Sequence, residues 1–355
     1  GKAIAAKSPL PILDHFLFTI NGNTLSIRGS ETEVTIDTTL EITDVEGEGR
    51  YVVPGAKLCE YLRKLSEQPI CFNINAETNT IETKTQSGIT KQIVYDATDY
   101  PEMHSIAPDT STKITISSNI LINGIAKTAF ATSNDELRPA LMGMLIECTQ
   151  GSVTFVATNS HILSRYIATT EKSTTDAKFI LSKKSATLMK GILTKDEEVT
   201  IEFNEKLAKL TTSNYVVTCR LIEAVYPAYN KLIQDNNPYN ITINRSELLN
   251  SISRASIFAN GTCLVKLTCN EDTMKIVAQD TDLHCSSQET MTCVYTGQQL
   301  TIGFKSTHII EILSNMTSEE VIINIGDPSR PGLIMPAVPT ENENELMLLM
   351  PMMAN

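Results

Sequence analysis

An α+β fold made of three copies of one module is what this sequence predicts, and three recurring strand and helix patterns predict it. The chain has 355 residues, of which 41% are hydrophobic and 20% are charged. At roughly 100–200 residues per domain, that length suggests two or three domains, each large enough to bury its own core. Three is favoured because the patterns return in the same order along the chain.

The first pattern is a short strand followed directly by a helix. The apolar strand segment 114–116 precedes one helical segment, and the segment 241–243 precedes another 127 residues later. The apolar residues of the two helices stand at i, i+4 spacing, which predicts one buried face for each. These residues are Leu121, Ile125, Leu248 and Ile252.

The second pattern is a strand that alternates apolar and polar residues, and the third is a strand that leads into a helix. The second occurs at 25–31, 153–159 and 274–280, and the third at 52–65, 180–193 and 302–313. Alternation at period 2 is typical of a half-buried strand. We predict modules 1–111, 112–237 and 238–355, each with antiparallel sheet and two helices. The alternative is three unrelated α+β domains that share only generic periodicity.

Composition narrows the class of protein. The net charge of -12 argues against a surface coated throughout with nucleic acid, although a local basic surface stays open. The sequence has no run of 18 consecutive apolar residues, so it predicts no membrane-spanning helix. Its first residues lack the layout of a signal peptide. None of the eight cysteines forms a C-x-x-C pair, so the ligand spacing of a zinc site is missing. The long chain and the absent export signal favour reduced thiols in a cytosolic protein and leave disulfides formally open.

Motifs for catalysis and metal binding are absent from the sequence. It has no phosphate-binding loop, no dinucleotide-binding glycine pattern and no nucleophile elbow. The five histidines are scattered, and Asp280-Thr-Asp282 with His284 is more typical of a polar turn than of a metal cluster. We therefore predict no enzyme activity, no metal and no cofactor. One alternative is a hydrolase with a dispersed site that uses His161 or His284.

Basic residues are concentrated in the five predicted helical segments, 55–66, 117–130, 182–195, 245–258 and 305–316. These segments contain only three Glu but eleven Lys or Arg: Lys57, Arg63, Lys64, Lys127, Lys183, Lys184, Lys190, Lys195, Arg245, Arg254 and Lys305. This segregation indicates a shared positive surface that would bind a polyanion through its phosphates. The alternative is chance enrichment, because Lys and Arg are good helix formers.

The chain ends in an apolar tail. Residues 345–353 contain four Met and three Leu, and Pro351 interrupts the run. We predict a final core strand at 345–350, since proline cannot donate to a strand ladder. The flexible methionines beyond it suit a surface that accepts several apolar ligands.

Five short motifs span the chain: LPIL at 10–13, RPALMGML at 138–145, ATNSHIL at 157–163, YPAY at 226–229 and MPM at 350–352. Together, and in this order, they resemble the bacterial sliding-clamp family, the β subunits of DNA polymerase III. The resemblance implies an α+β fold of three DNA-clamp domains and a head-to-tail homodimer that forms a six-domain ring around double-stranded DNA. It implies a non-catalytic processivity factor. A three-domain adaptor unrelated to DNA is the further alternative.

The resemblance also implies a hydrophobic groove between the second and third domains. It would bind short motifs of the polymerase III catalytic subunit, the clamp loader and other clamp-binding proteins. Carried over by motif, its residues are Leu141, Thr158, Ser160, His161, Leu163, Pro227, Lys231, Leu232, Leu348, Met350 and Met352. This chain has Ser160-His161-Ile162 where the family commonly has Gly-His-Arg, and Lys231 and Met353 where Arg is frequent. These changes alter the polar rim of the groove.

The remaining expectations concern DNA, the ring seam and the location in the cell. Expected DNA contacts are Lys7, Lys57, Arg63, Lys127, Lys183, Lys184 and Arg254. At the seam, Ile257 and Phe258 would meet the first domain of the partner subunit near Tyr100. The location expected is the cytoplasm, in association with the nucleoid, with no membrane partner.

The repeats also raise an expectation about the start of the chain. At an offset of 128 residues, Gly1 aligns with Ala129, and the strand at 114–116 has no counterpart in the first module. We expect about 15 further residues, a strand and most of a basic helix, before Gly1 in the natural protein. Without them, the first domain would be the least stable third.

Overall fold

Antiparallel strand pairing dominates the fold. The computed structural model describes residues 10–102, 106, 111–170, 175–233 and 237–353. The strands form two nine-stranded sheets, one four-stranded sheet and one three-stranded sheet within these ranges. The predicted α+β class with antiparallel sheet is therefore confirmed.

The first module contains one described helix, α1 (Gly55–Arg63). Its strands are β1 (His15–Asn21), β2 (Thr24–Ser30), β3 (Val34–Glu41), β4 (Gly49–Pro54), β5 (Cys71–Asn75), β6 (Thr80–Lys84), β7 (Ile89–Ile93) and the short β8 (Tyr95–Asp96). A 3-10 turn, Pro11–Asp14, precedes β1.

The second module has the helices α2 (Ser118–Thr128) and α3 (Lys183–Ile192). Its strands are β9 (Thr112–Ser117), β10 (Gly143–Thr149), β11 (Ser152–Thr158), β12 (Ile162–Thr169), β13 (Ala177–Ser182), β14 (Glu198–Phe203), β15 (Leu207–Thr211) and β16 (Val216–Arg220). Its 3-10 turns are Ala129–Ala131, Pro139–Met142 and Tyr229–Lys231.

The third module repeats this order with the helices α4 (Arg245–Ser256) and α5 (Ser306–Asn315). Its strands are β17 (Tyr239–Asn244), β18 (Leu264–Asn270), β19 (Thr273–Asp280), β20 (Cys285–Thr292), β21 (Val294–Tyr295), β22 (Leu300–Lys305), β23 (Glu320–Ile325), β24 (Gly332–Pro336) and β25 (Glu343–Leu349).

All three sequence patterns correspond to observed elements. The strand–helix pairs are β9 with α2 and β17 with α4, and the alternating strands are β2, β11 and β19. The strands that lead into a helix are β4, β13 and β22. In α4 the Asn244 side chain caps the helix by accepting from the N–H of Glu247 at 3.0 Å, which satisfies one otherwise unpaired donor. The patterns therefore identified real repeats of secondary structure.

The nine-stranded sheets extend across module boundaries. The first has the order β8-β4-β1-β2-β3-β16-β15-β14-β9, and the second β13-β10-β11-β12-β25-β24-β23-β17-β21. The chain accordingly divides into two compact units, 1–119 with 187–221 and 120–186 with 222–355. Each unit contains one of these sheets, because the ladders β3–β16 and β12–β25 join strands of neighbouring modules.

The two units have separate cores. In the first, a cavity of about 780 Å³ lies between α1 and the sheet, lined by Phe16, Leu58 and Phe72 among others. In the second, the apolar faces predicted for α2 and α4 are buried. Helix α2 lies so close to β11 that a Cβ atom at Gly124 would come within 2.5 Å of the Phe155 ring. Only glycine fits at that position without rearrangement.

Candidate functional site

The predicted groove has an apolar floor where β12 pairs with β25, inside the second unit. Leu163 and Leu348, both predicted groove residues, stand opposite each other in this ladder and are 1% and 2% exposed. The buried side chains packed with them are Leu145, Val156, Ile180, Tyr229, Leu333 and Leu346. Side chains held this tightly form a preformed surface, as ligand sites usually do.

The turn between β11 and β12, residues 159–161, borders this floor. Buried Thr158 donates its hydroxyl to the carbonyl of Ile162 at 2.7 Å and accepts from the N–H of Ser160 at 3.1 Å. Asn159 Oδ1 accepts from the N–H groups of His161 and Ile162, both at 2.9 Å. These bonds fix the turn and leave the predicted residues Ser160 and His161 exposed at its tip.

The C-terminal tail is attached at two points. The N–H of Met350 donates to the carbonyl of His161 at 2.9 Å, and the N–H of Met352 donates to the carbonyl of Gly303 in β22 at 2.7 Å. The preceding strand, β25, ends one residue before the predicted end. Met350 is 37% exposed and Met353 is 80% exposed. The tail therefore presents flexible apolar side chains beside the turn.

Two tyrosines that the sequence did not single out hold the segment 226–232 in place. The hydroxyl of Tyr226 donates to a backbone carbonyl of β11 at 3.3 Å, and that of Tyr229 donates to the carboxylate of Glu147 in β10 at 2.6 Å. Their spacing in the YPAY motif was the available signal. Between and after them stand the predicted residues Pro227, Lys231 and Leu232, the last of which is half exposed.

On the other side of the turn, Leu141 is buried in the 3-10 turn that follows Arg138. Its N–H donates to the carbonyl of Arg138 at 2.9 Å. The Arg138 side chain, which the sequence did not single out as a site residue, donates from Nη1 to Ser160 Oγ at 2.6 Å. Two predicted groove residues, Leu141 and Ser160, are thereby linked through it.

His308 is a further residue that sequence reasoning missed. Its ring in α5 stacks on that of His161, with 5.4 Å between the ring centroids. Burial lowers the pKa of His308 to about 4, with Lys305 and His161 adding to the effect. No sequence signal joined these histidines, because 147 positions separate them and only the fold brings the β11–β12 turn beside α5.

Lys127 occupies a different position from the one predicted for it. Its ammonium lies 2.8 Å from Glu345 and 3.1 Å from Glu343, and only 15% of the side chain is exposed. It also lies over the Tyr166 ring, 4.9 Å from the centroid. Burial alone would lower the pKa of Lys127, but the hydrogen bonds and charges of both glutamates outweigh it and leave the pKa raised. Its charge is neutralised inside the fold, so we correct its expected role as a DNA contact.

The other predicted DNA contacts are more accessible. Four of them are exposed on α1 and α3: Lys57, Arg63, Lys183 and Lys184. Arg254 is exposed on α4 but donates to Glu289 of β20 at 2.6 Å. Lys7 lies outside the described residues.

The predicted seam residues fall into two classes. Ile257 and Phe258 follow α4 and are 76% and 39% exposed, as a seam requires. Tyr100 is only 3% exposed, because it packs with Leu13 and Leu17 inside its own module. Burial raises its pKa to about 12. Tyr100 therefore cannot contact a partner directly, and this expectation is corrected.

Asp280-Thr-Asp282 with His284 is the nearest approach to a metal cluster that the sequence offers. In the described ranges, no group of three or more His, Cys, Asp or Glu side chains is placed to hold a metal ion. Asp280 Oδ1 accepts from the N–H groups of Asp282 and Leu283 at 3.0 Å, which makes this segment a polar turn. None of the helices described is long and apolar enough to cross a membrane.

Comparison with known proteins gives matches along the whole chain. Family models of the N-terminal, central and C-terminal domains of the DNA polymerase III beta subunit match residues 1–104, 115–228 and 230–353. A Staphylococcus aureus protein named beta sliding clamp is 26% identical over 347 residues, which cover 94% of this chain and 91% of the relative.

Solved structures show the same fold. The DNA polymerase III beta chain of Streptococcus pneumoniae has a TM-score of 0.91 and 25% identity, covering 99% of this chain and 95% of that one. The Thermotoga maritima beta subunit has a TM-score of 0.90 and 24% identity, covering 100% and 95%. Both the hydrolase and the adaptor unrelated to DNA are thus excluded. The chain belongs to the DNA polymerase III beta subunit family, the bacterial sliding clamps, which are non-catalytic processivity factors.

Proposed function

We propose that this sliding clamp works as a head-to-tail homodimer, a six-domain ring that encloses duplex DNA. Its modules are 1–111, 112–237 and 238–355. The groove binds short segments of the polymerase catalytic subunit, the clamp loader and other proteins that use the same motif. The ring acts in the cytoplasm on the nucleoid. One observation supports the ring above all others: the same junction between modules occurs twice within the chain.

Both junctions join equivalent strands. At the first, β3 pairs antiparallel with β16, and at the second, β12 pairs antiparallel with β25. In each case, one module contributes a group of four paired strands, β4-β1-β2-β3 or β13-β10-β11-β12. The outer strand of that group, β3 or β12, pairs with the last strand of the following module, β16 or β25. In the third module, the strand equivalent to β3 and β12 is β20, and in the first module, the strand equivalent to β16 and β25 is β7. Both strands stand at sheet edges. A third junction of the same kind therefore needs a second copy of the chain.

The surface of β7 supports such pairing. Ile89 and Ile93 are 64% and 60% exposed on this strand, and an exposed apolar edge strand favours pairing with another chain. Near β20, the ion pair between Arg254 and Glu289 ties α4 to the strand, just before exposed Ile257. In the proposed dimer, β20 of one protomer pairs with β7 of its partner. Two identical junctions of this kind close the ring instead of extending a filament.

DNA binding in this proposal is electrostatic. The exposed Lys57, Arg63, Lys183 and Lys184 on helices, with Arg254, would face the phosphates inside the ring. Contacts of this type do not depend on base sequence and weaken steeply with salt. A sliding protein needs contacts of this type, because base-specific bonds would hold it at one position.

Groove binding rests on the apolar floor of Leu163 and Leu348. Exposed Leu232 and Met350 stand at its margin and can close over an apolar side chain of a bound segment. Methionine is suited to this because its unbranched side chain adapts to different partners. The groove lies wholly within the second unit, so we expect it to bind peptides in solution as well as on DNA.

Retention on DNA tests the ring. After loading by its clamp loader, the protein should stay on nicked circular DNA at high salt and leave when the circle is cut. The variant Ile93→Arg should be a monomer by light scattering and should not be retained. Val338→Arg, which changes an even more exposed apolar residue (80%) in a loop, is the control and should remain a dimer. Retention after linearisation, or a dimeric Ile93→Arg protein, would refute the ring or its seam.

A further inference from the structure

We propose that Arg138 selects partner segments that carry an acidic side chain, and that Ser160 is the positioning residue that holds it ready. This inference rests on the proposed peptide-binding function of the groove. It concerns the Arg138 bridge, the chain of hydrogen bonds from Asp135 through Arg138 to Ser160. Two of its members belong to the stretch before the 3-10 turn of Leu141, and the third belongs to the turn between β11 and β12.

The bridge fixes the guanidinium group from two sides. Nε of Arg138 donates to Asp135 Oδ2 at 2.7 Å, and Nη1 donates to Ser160 Oγ at 2.6 Å. The pKa of Asp135 is lowered, chiefly by this hydrogen bond from Arg138. Asp135 also accepts from the N–H of Leu137 at 3.0 Å, so the carboxylate is itself held. An arginine restrained in this way loses little side-chain freedom when it binds a ligand.

Ser160 occupies a backbone conformation that disfavours serine. Its φ is +78°, in the left-handed region where glycine is favoured and other residues cost about 1 kcal/mol or more. The hydrogen bonds of Thr158 and Asn159 hold the turn in this conformation. Glycine would fit the backbone better but would have no hydroxyl for Arg138. The serine thus exchanges local stability for the bridge, and strain of this kind is characteristic of functional sites.

The bridge leaves donors on Arg138 for a partner. Asp135 occupies Nε and Ser160 occupies one N–H of Nη1, whereas the Nη2 amino group has no partner among the described residues. The Arg138 side chain is 48% exposed, and the next residue along the chain, Leu137, is 90% exposed. A cationic fork beside an exposed leucine suits a segment that places a carboxylate next to an apolar residue. Paired N–H groups of arginine bind a carboxylate better than an amide, because the hydrogen bonds are charge-assisted.

The test compares matched peptides by fluorescence polarisation. Each peptide ends in Leu-Phe and carries, at one of its other positions, Asp in one version and Asn in its match. For the wild-type dimer, we expect at least one position where Asp binds about five- to tenfold tighter than Asn, the strength of an exposed charge-assisted contact. That ratio should fall below twofold in Arg138→Gln and in Ser160→Gly, and it should shrink with added salt.

A control variant separates the bridge from relief of backbone strain. Glu271→Gly replaces another non-glycine residue with positive φ, +51°, in the turn between β18 and β19. It should leave the Asp-to-Asn ratio unchanged. A Ser160→Gly protein that loses affinity equally for both versions would show a purely structural role and would overturn the inference. Wild-type binding without preference at any position would overturn it too, while leaving the groove intact. Failure of every peptide to bind would overturn the groove itself, and the inference with it.

Discussion

Replacing Lys127 with methionine tests whether this residue belongs to the fold or to the DNA surface. The Glu345 side chain is 5% exposed, and its Oε1 has no hydrogen-bond partner among the described residues. Lys127 is therefore the cation that offsets this carboxylate. Removing one partner of a buried ion pair typically costs about 3–5 kcal/mol, because it leaves an uncompensated charge.

The cost also depends on pH, through Glu343. Burial alone would raise the pKa of Glu343, but hydrogen bonds from Tyr166 and Lys127 and the charge of Lys127 outweigh it and leave the pKa lowered. A carboxylate with a lowered pKa contributes stability above its unfolded pKa of about 4.3, and that contribution is lost as the pH falls through the folded pKa. We expect Lys127→Met to lower the free energy of unfolding by about 3 kcal/mol at pH 7 and by less at pH 4.

Urea unfolding at the two pH values measures this, and Lys184→Met is the matched control. Lys184 is exposed on α3, so its loss should cost about 0.5 kcal/mol or less and should weaken retention on DNA. The triple variant Lys127→Met, Glu343→Gln, Glu345→Gln should recover part of the lost stability. The reasoning is refuted if Lys127→Met is as stable as the wild type and instead weakens DNA retention in the manner of Lys184→Met.

Two further predictions concern the interior. Gly124→Ala should destabilise by about 1–3 kcal/mol in urea unfolding, because its Cβ would overlap the Phe155 ring, whereas Gly88→Ala, with open space around it, should not. His308, whose pKa is lowered to about 4, should titrate below pH 5 by NMR, and His161→Ala should raise that value. Between about pH 6.5 and 4 the unfolded chain binds a proton at His308 that the folded chain does not. The free energy of unfolding should thus decrease as the pH is lowered through this window, and it should decrease less in His308→Asn.

The sequence predicted the repeats because each relies on local periodicity. The i, i+4 spacing of Leu121 and Ile125 and the alternation in β11 need no knowledge of distant residues. The two residues of the predicted groove floor were also identified from the sequence, because Leu163 lies in the ATNSHIL motif and Leu348 stands two residues before the MPM motif. What connects those motifs, namely the register of β12 against β25, is a property of the sheet and is not written in either segment.

The failures among the basic residues share one physical cause: the state of a charged side chain depends on partners far away in the chain. Lys127 looked like a member of a basic helix face, but its partner Glu343 stands 216 positions away. Arg245 was counted in the same way, yet its guanidinium donates to the carbonyls of Leu313 and Ser318 at the end of α5. The charge of a helix can be counted from sequence, whereas the part of it that faces solvent cannot.

The two junctions within the chain use the same backbone pairing but expose different chemistry. At the β3–β16 ladder, the face opposite the cavity carries Thr35, paired with Thr218, and Asp37, which binds Arg28 at 2.6 Å. At the β12–β25 ladder, the floor face carries the apolar pair Leu163 and Leu348, followed on the same face by Arg165 paired with Leu346.

Both ladders are antiparallel and use the same pattern of backbone hydrogen bonds, so the backbone joins the modules without distinguishing between partners. Under the proposed function, side-chain identity on one face is what makes the β12–β25 joint, and not the β3–β16 joint, bind peptides. It follows that polar substitutions in the floor, such as Leu348→Thr, should abolish peptide binding while the β12–β25 ladder stays intact.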